Sequence, residues 1–228
     1  MKLTLTAVRQ EPKSVYSFFF QSKELTIWQA GQYLRYHIDD LATDSRGENR
    51  FFSIASAPLE KQIQLTTRID PDKGSSFKKN LLSLTPGDEI SAAGPNGAFI
   101  VEDPSDNFVF VAGGIGITPF RAIILDLYLK SLPINITLFY ANKNSELIFQ
   151  KELEEISSTN PKFKIHYFVG ENILTPQIIN QLVPHSKTSL FYISGPEPMM
   201  TSFEKSFIQM GISENKIKHD YFPGYTDY

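Results

Sequence analysis

Short runs of alternating apolar and polar residues fill the first hundred positions, and turn-forming residues separate them. Such alternation predicts β-strands with one buried face, and many of them in succession indicate a small barrel or sandwich. One segment differs, because Phe77, Leu81 and Leu84 recur at helical spacing and predict a short helix over residues 75–84. The predicted strands are 3–9, 15–20, 33–38, 50–56, 63–69 and one that follows the turn at 86–90.

The pattern changes after Glu102. From there, continuous apolar runs alternate with amphipathic segments, which predicts a parallel sheet covered by helices on both faces. We therefore expect a two-domain protein: a β-domain over residues 1–102 and an α/β domain with a five-stranded parallel sheet over 103–228. The predicted strands of the second domain are 108–114, 134–143, 163–169, 189–194 and 216–222, and its predicted helices are 118–130, 145–156, 175–183 and 196–210.

Composition and charge exclude several kinds of function. The 228 residues include no cysteine, so this sequence supplies no disulfide, thiolate metal site or cysteine-ligated iron–sulfur cluster. A net charge of −3 disfavours nucleic-acid binding, the longest apolar runs are too short to span a membrane, and the four histidines lack metal-ligand spacing. The chain begins with strand-like alternation and not with a signal peptide, so we expect a cytoplasmic protein. It starts at Met1 and ends soon after the last predicted strand, so we also expect it to stand alone. The histidine spacing leads us to expect no metal.

A glycine-rich turn, VFVAGGIGITPF, joins the first strand of the second domain to its first helix. Ligands of such sheets bind at the carboxyl ends of the strands, where glycines let the backbone approach a phosphate at a helix N-terminus. Thr118 is predicted to cap the helix, and Pro119 suits its first turn. The candidate phosphate cradle therefore consists of Gly113, Gly114, Gly116, Thr118 and Pro119, although a plain tight turn explains the same residues.

A second glycine turn, in YISGPEPMM, ends another strand of this domain at Gly195 and Pro196. Two such turns in one sheet are predicted to face a single ligand. The usual dinucleotide fingerprint is incomplete, because a proline stands where a third small residue is expected and no acidic residue ends the second strand. That strand ends with Asn142 and Lys143 instead, so the pattern is not that of a standard dehydrogenase.

The segment NRFFSIASAP places a cation inside an apolar strand of the first domain. Arg50 suits a phosphate, Phe52 lies on the same strand face and suits a flat ring system, and Ser53 suits a ring heteroatom. An exposed arginine beside a core phenylalanine is the alternative interpretation. A glycine and two hydroxyls that open the short helix form a second candidate anion site at Gly74, Ser75 and Ser76. An anion site, a flat ring and a dinucleotide site together indicate flavin and nicotinamide chemistry.

Nearly the whole chain resembles the ferredoxin–NADP reductase superfamily, in its bacterial flavodoxin-reductase-like or FAD/NAD(P)-binding oxidoreductase branch. The segments that carry the resemblance, in chain order, are AGQYLRY, RFFS with SIASAP, KGSSF, GPNGAF, AGGIGITPF, FYANKNSELIF and YISGPEPMM. The resemblance implies an N-terminal antiparallel Greek-key β-barrel that binds FAD, followed by a C-terminal NAD(P)-binding α/β domain. The implied cofactors are FAD and NAD(P)H.

The resemblance also implies roles for individual residues. It gives Arg50 the FAD phosphates, places Phe52 on one face of the isoalloxazine and Ser53 near flavin N5, and sets Thr67 on the neighbouring strand along the flavin. Lys143 then becomes a candidate ligand of a 2′-phosphate, or equally a surface lysine, and slightly favours NADPH. The implied FAD-pyrophosphate residues are Gly74, Ser75 and Ser76, and the implied nicotinamide-dinucleotide residues are Gly113, Gly114, Gly116, Thr118, Pro119, Asn142, Lys143, Gly195 and Pro196.

Two departures from the family pattern concern the reaction itself. Many members have a cysteine where this chain has Ser194, close to where the hydride moves. Many end with glutamate, one residue and an aromatic, where this chain has Asp220 and Phe222. Phe222 is implied to cover the second flavin face and to move aside for nicotinamide. The chain then extends through PGYTDY, in which Tyr225 is a competitor for that stacking position.

The resemblance implies an enzyme that passes a hydride from NAD(P)H to FAD, with Ser53, Ser194, Asp220 and Phe222 near the reacting atoms. Electrons then go to a separate acceptor, which we expect to be flavodoxin, ferredoxin or a small molecule. Lys73, Lys78 and Lys79 form a local basic patch for an acidic carrier. The alternatives are a regulatory module that binds both cofactors without turnover, and the reductase component of an oxygenase system.

Overall fold

The computed structural model describes residues 1–12, 14–24, 27–39, 44–45, 47–70, 72–183 and 188–220. The chain divides into two units, Met1–Ile100 and Val101–Tyr228, so the division falls two residues before the boundary expected from the sequence. Each unit has its own sheet and its own apolar core.

Six antiparallel strands and one helix build the first unit. The sheet order is β4-β3-β6-β1-β2-β5, so β6 inserts between β1 and β3 in a Greek-key arrangement. Just after β4, the backbone N–H of Ala55 donates to the carbonyl of Gln64 on β5 at 2.8 Å, which brings the two ends of the sheet together as in a barrel. The elements are β1 (Lys2–Glu11), β2 (Val15–Ser22), β3 (Tyr33–His37), β4 (Asn49–Ser53), β5 (Ile63–Arg68), α1 (Ser76–Ser83) and β6 (Glu89–Asn96).

The predicted period-2 pattern places the core of this unit. Phe18 and Phe20 on β2, and Leu34 and Tyr36 on β3, alternate with more exposed residues and pack inside the barrel. Helix α1 adds Phe77 and Leu81 to the same core, which confirms the helix predicted from their spacing. Its side chains cover the part of the barrel next to β4.

One buried hydroxyl in this core is a stability liability. Tyr36 is fully buried, and its hydroxyl has no hydrogen-bond partner among the described residues. Burial also raises the pKa of Tyr36 far above its usual range. A buried unsatisfied polar group costs free energy, so we expect Tyr36→Phe to raise the free energy of unfolding by about 1 kcal/mol. Urea titration measures the change. Tyr16→Phe, at a half-exposed position of β2, serves as the control and should leave stability unchanged; equal effects would contradict the assignment.

The second unit is a five-stranded parallel sheet with the order β11-β10-β7-β8-β9. Alternate residues of its central strands point to opposite faces: Phe110 packs against Phe120 of α2 on one face, and Phe191 against Phe207 of α5 on the other. Helices therefore cover both faces, as predicted. The elements are β7 (Phe108–Gly113), α2 (Ile117–Leu129), β8 (Ile136–Asn142), α3 (Gln150–Thr159), β9 (Lys164–Val169), α4 (Pro176–Leu182), β10 (Leu190–Ser194), α5 (Glu197–Gln209) and β11 (Ile217–His219).

Two local predictions for this unit are wrong. The helix predicted to start at residue 145 starts at Gln150, because Phe149 adopts a left-handed backbone conformation (φ 60°) that a helix cannot continue through. Thr118 does not cap α2. The helix begins at Ile117, after a short 3₁₀ turn at 114–116, so Thr118 lies buried inside its first turn.

None of the helices in the described part of the chain combines the length and the apolar character that crossing a bilayer requires.

Candidate functional site

Arg50 is a buried cation on β4. Only 7% of its side chain is exposed, which rules out the alternative of a surface arginine. Its Nη1 donates to the carbonyls of Gly47 (2.8 Å) and Asn49 (2.7 Å), and its guanidinium lies 5.7 Å from the ring centroid of Phe77 on α1. The fork geometry of the guanidinium thus fixes the loop before β4 and directs positive charge toward α1.

Three other predicted residues of the first unit lie close to this cation or on neighbouring strands. Phe52 is half-buried and its ring contacts Phe77 at 6.0 Å between centroids, so Arg50 and Phe52 share one strand face as predicted. Ser53 ends β4 and is buried. Thr67 is buried on β5, where it pairs with Tyr16 of β2. The first unit therefore has an aromatic ring near the buried cation, and two buried hydroxyls on β4 and β5.

The loop before α1 has the features of an anion cradle. A Cβ at Gly74 would collide with the backbone oxygen of Asp70, so only glycine fits there. The Asp70 carboxylate accepts from the backbone N–H groups of Lys73 and Asp72, and these bonds hold the pKa of Asp70 below its usual range. Ser75 is the N-cap, with its Oγ accepting from Lys78 N at 3.3 Å. The helix therefore starts with a fixed geometry and a positive dipole end.

Asp44 occupies this cradle, and sequence reasoning missed it. Its Oδ2 accepts from the backbone N–H of Ser76 at 2.9 Å, and its Oδ1 lies 3.4 Å from Nη2 of Arg50. Its own N–H donates to Ser76 Oγ at 3.1 Å. The Asp44 carboxylate thus stands where a phosphate would be expected, and it shows that Arg50 and the start of α1 converge on one anion. An aspartate in a loop without periodicity gives no signal in the sequence.

The two glycine turns of the second unit lie against each other. Strands β7 and β10 are neighbours in register, with Ala112 opposite Ser194, so their carboxyl ends meet. A Cβ at Gly116 would lie 2.6 Å from Gly195 N and closer still to the Ser194 carbonyl. A Cβ at Gly113 would meet the side chains of Met199 and Pro196. The structure thus brings both turns to one place at the strand ends, and that they face a single ligand stays a prediction.

A hydrogen-bonded pair lies at this same edge. The hydroxyl of Ser194 donates to Asp220 Oδ2 at 3.3 Å, and both residues are buried. Asp220 follows β11, and its backbone N–H donates to the carbonyl of Ile193, which fixes the carboxylate next to the end of β10. Although serine and aspartate both have short side chains, the two groups lie within hydrogen-bonding distance of each other. Phe222 and Tyr225 lie outside the described residues.

The end of β8 holds Asn142 and Lys143 in different environments. The Asn142 side-chain amide donates to the carbonyl of Asn144 (3.2 Å), to its side-chain oxygen and to the carbonyl of Glu146. Asn142 therefore organises the turn that follows the strand. Lys143 is exposed at the strand end. The structure thus gives Asn142 a supporting function and leaves Lys143 accessible to a ligand.

Arg121 is a second arginine that sequence reasoning missed. It lies on α2, 7% of its side chain is exposed, and it forms two 2.7 Å bonds to the Glu152 carboxylate of α3. Its guanidinium also lies 5.1 Å from the ring centroid of Phe149. The pair ties the helix after the first glycine turn to the segment after β8. A lone cation in an apolar helix was a usable signal, the same one that drew attention to Arg50.

We expect Arg121→Met to lower the free energy of unfolding by about 2 kcal/mol, less than for a fully buried pair because Glu152 is partly exposed. Lys151→Met is the control, since Lys151 and Glu155 form an exposed pair 3.9 Å apart on the same α3 helix. Denaturant titration of both variants checks the expectation. Equal stabilities of the two variants would contradict a structural role for the Arg121–Glu152 pair.

Comparisons with known proteins agree with this geometry. Residues 110–205 match the family described as Oxidoreductase NAD-binding domain. A component of the Na(+)-translocating NADH-quinone reductase of Pseudomonas aeruginosa is 29% identical over 199 residues, covering 77% of this chain and 49% of the relative. The chain therefore spans about half the length of the curated relatives it matches.

Two solved structures share the fold over 97% of the chain. The ferredoxin–NADP+ reductase of Plasmodium falciparum is 18% identical, with a TM-score of 0.78 and 95% of its own chain covered. The cytochrome P450 reductase of Amycolatopsis is 21% identical, with a TM-score of 0.81 and 70% covered. The chain therefore has the two-domain fold of ferredoxin–NADP reductases. This likeness confirms the predicted fold and agrees with the predicted cofactor classes, FAD and a nicotinamide dinucleotide.

Proposed function

We propose that the chain is an FAD-dependent NAD(P)H oxidoreductase that delivers electrons to a separate acceptor. The observation that carries the proposal is the convergence of the Arg50 guanidinium and the Ser76 backbone N–H on one carboxylate, that of Asp44. A buried arginine and a helix N-terminus aimed at the same point form a site for a phosphate group. The residues of the first unit therefore fit a flavin that carries a diphosphate.

The first unit supplies orientation and charge. When bound, FAD accepts a hydride from a reduced nicotinamide and passes the electrons on. Arg50 and the start of α1 neutralise the diphosphate, and Gly74 allows the tight turn against Asp70 that precedes α1. Phe52 offers a flat apolar face to the ring system. Ser53 and Thr67, both buried, hydrogen-bond the polar edge of the ring and fix its position.

The second unit holds the nicotinamide dinucleotide. The glycines of its turns at 113–116 and 195–196 let the two turns pack closely against each other at the strand ends, where a dinucleotide binds. The Ser194–Asp220 pair positions the nicotinamide ring, with the Ser194 hydroxyl in the place that many superfamily members give to a thiol. Lys143 meets a 2′-phosphate, which favours NADPH, whereas the Pseudomonas relative belongs to an NADH-quinone reductase, which favours NADH.

These 228 residues contain no cysteine, so they cannot ligate an iron–sulfur cluster as the next electron carrier. We include flavodoxin, ferredoxin, a quinone and other small molecules among the candidates. A carrier protein with an acidic surface suits Lys73, Lys78 and Lys79, and the ammonium groups of Lys78 and Lys79 are held near α1 by bonds to the carbonyls of Arg68 and Asp72. Such a patch raises the association rate with an acidic partner more than its affinity.

Steady-state turnover tests the proposal. FAD-loaded protein is mixed with ferricyanide and either NADH or NADPH, and oxidation of the nicotinamide is followed against a control with free FAD alone. We expect oxidation above that control with at least one nicotinamide, and faster oxidation with NADPH. Replacing ferricyanide by flavodoxin, ferredoxin or a quinone then ranks the acceptors. Bound FAD without any turnover would support the regulatory module instead.

A further inference from the structure

Asp44 makes three contacts that tie it to the proposed FAD diphosphate site. Its carboxylate binds both Ser76 N and the guanidinium of Arg50, and its own N–H binds Ser76 Oγ. The inference drawn from these contacts rests on the proposed function, because that function assigns Arg50 and the start of α1 to the phosphates. The structure adds an anion from the chain itself at the same place.

Without flavin, the negative charge of Asp44 compensates the positive charge of Arg50 and of the start of α1. Arg50 is buried, and a buried cation without a counter-charge is strongly destabilising. The N-terminus of α1 likewise has N–H groups that the helix leaves unsatisfied. The Asp44 carboxylate supplies both with an acceptor. It therefore stabilises the first unit in the state without FAD.

The same contacts oppose FAD binding. The backbone N–H of Ser76 carries one hydrogen, so a phosphate oxygen that takes it displaces the Asp44 carboxylate. A phosphate that binds next to Arg50 is also repelled by the Asp44 carboxylate, because both groups are negatively charged. We propose that Asp44 is an internal competitor of the FAD diphosphate and that its displacement lowers the affinity of this chain for flavin.

Asp44→Asn tests the competition because it removes the charge and keeps the shape. Asp39→Asn is the matched control: it removes the same charge from the same connecting segment, but the Asp39 side chain is 98% exposed. FAD affinity is measured by fluorescence titration of FAD-free protein, and thermal unfolding is followed without flavin. We expect Asp44→Asn to bind FAD about tenfold more tightly, the factor typical of losing one opposing charged contact. We also expect it to melt at a lower temperature without flavin.

If Asp44 competes with FAD, Asp44→Asn lowers the melting temperature without flavin and raises the affinity for FAD. This combination distinguishes competition from a purely structural role of Asp44. If Asp44→Asn binds FAD no more tightly than Asp39→Asn, the competition is refuted while the proposed function stands. If wild-type protein binds no FAD, the proposed function fails, and inorganic pyrophosphate decides the inference: a larger melting-temperature increase for Asp44→Asn than for wild type supports it, and equal increases overturn it. Asp44→Ser, which keeps a hydrogen-bond acceptor, replaces Asp44→Asn if that variant does not fold.

Discussion

Replacing Arg50 with methionine is expected to weaken FAD binding by about a hundredfold, the loss that follows from removing one charge-assisted pair worth ~2–3 kcal/mol. Among the described residues of β4, Arg50 is the only buried cation, and its guanidinium lies near the start of α1. The substitution also leaves the carbonyls of Gly47 and Asn49 without their donor, so we expect a lower melting temperature. Fluorescence titration with FAD measures the affinity, and circular dichroism establishes that the variant is folded.

Two further variants separate charge from geometry at this position. Arg50→Lys keeps the charge but lacks the planar guanidinium whose two nitrogens reach the two carbonyls and the carboxylate, so its affinity should be intermediate. Arg35→Met removes an exposed arginine from the adjacent strand β3 and should leave FAD binding unchanged. A folded Arg50→Met protein that binds FAD like the wild type would show that Arg50 does not hold the phosphates.

The second large effect is expected from Gly116→Ala. Gly116 has an ordinary backbone conformation (φ −62°), so alanine brings no conformational strain, only crowding. The added Cβ would press on backbone atoms of Ser194 and Gly195, which cannot rotate away. We expect a loss of about 3 kcal/mol in the free energy of unfolding, at the upper end for overpacking. Displacing the glycine turns should also lower NAD(P)H oxidation by about a hundredfold.

Gly113→Ala is the matched control within the same motif. Its Cβ would meet the Sδ and Cε of Met199, which is the end of a flexible side chain that can move, and Pro196 Cδ at 3.0 Å. We expect a stability loss of about 1 kcal/mol and a much smaller decrease in turnover. FAD affinity should be unchanged in both glycine variants, because the contacts lie in the second unit. Wild-type turnover in Gly116→Ala would contradict the proposed nicotinamide site.

The larger features of the fold were predictable because they follow from local patterns. Period-2 alternation located the barrel strands, and the apolar runs that alternate with amphipathic segments located the parallel sheet. The Greek-key strand order could not be predicted from such local patterns, because β6 inserts between β1 and β3 through contacts that are distant in sequence. Only the resemblance to a family pointed to it.

Errors in the sequence-based predictions arose where a backbone conformation or a contact distant in sequence decides the structure. The helix start at Gln150 depends on the backbone of Phe149 and on the turn organised by Asn142, neither of which periodicity reveals. Asp44 meets the start of α1 across 32 positions of sequence, so no local motif shows it. Arg50 and Gly74 were predictable because a cation in an apolar strand and a glycine before a helix are informative by themselves.

Anaerobic mixing of the FAD-loaded protein with NADH or NADPH tests the central claim most directly. The account predicts that flavin binds to the folded protein in a one-to-one ratio and that its visible absorbance bleaches on mixing with at least one nicotinamide. A folded protein that takes up no FAD, or whose bound flavin keeps its absorbance with both nicotinamides, would contradict it.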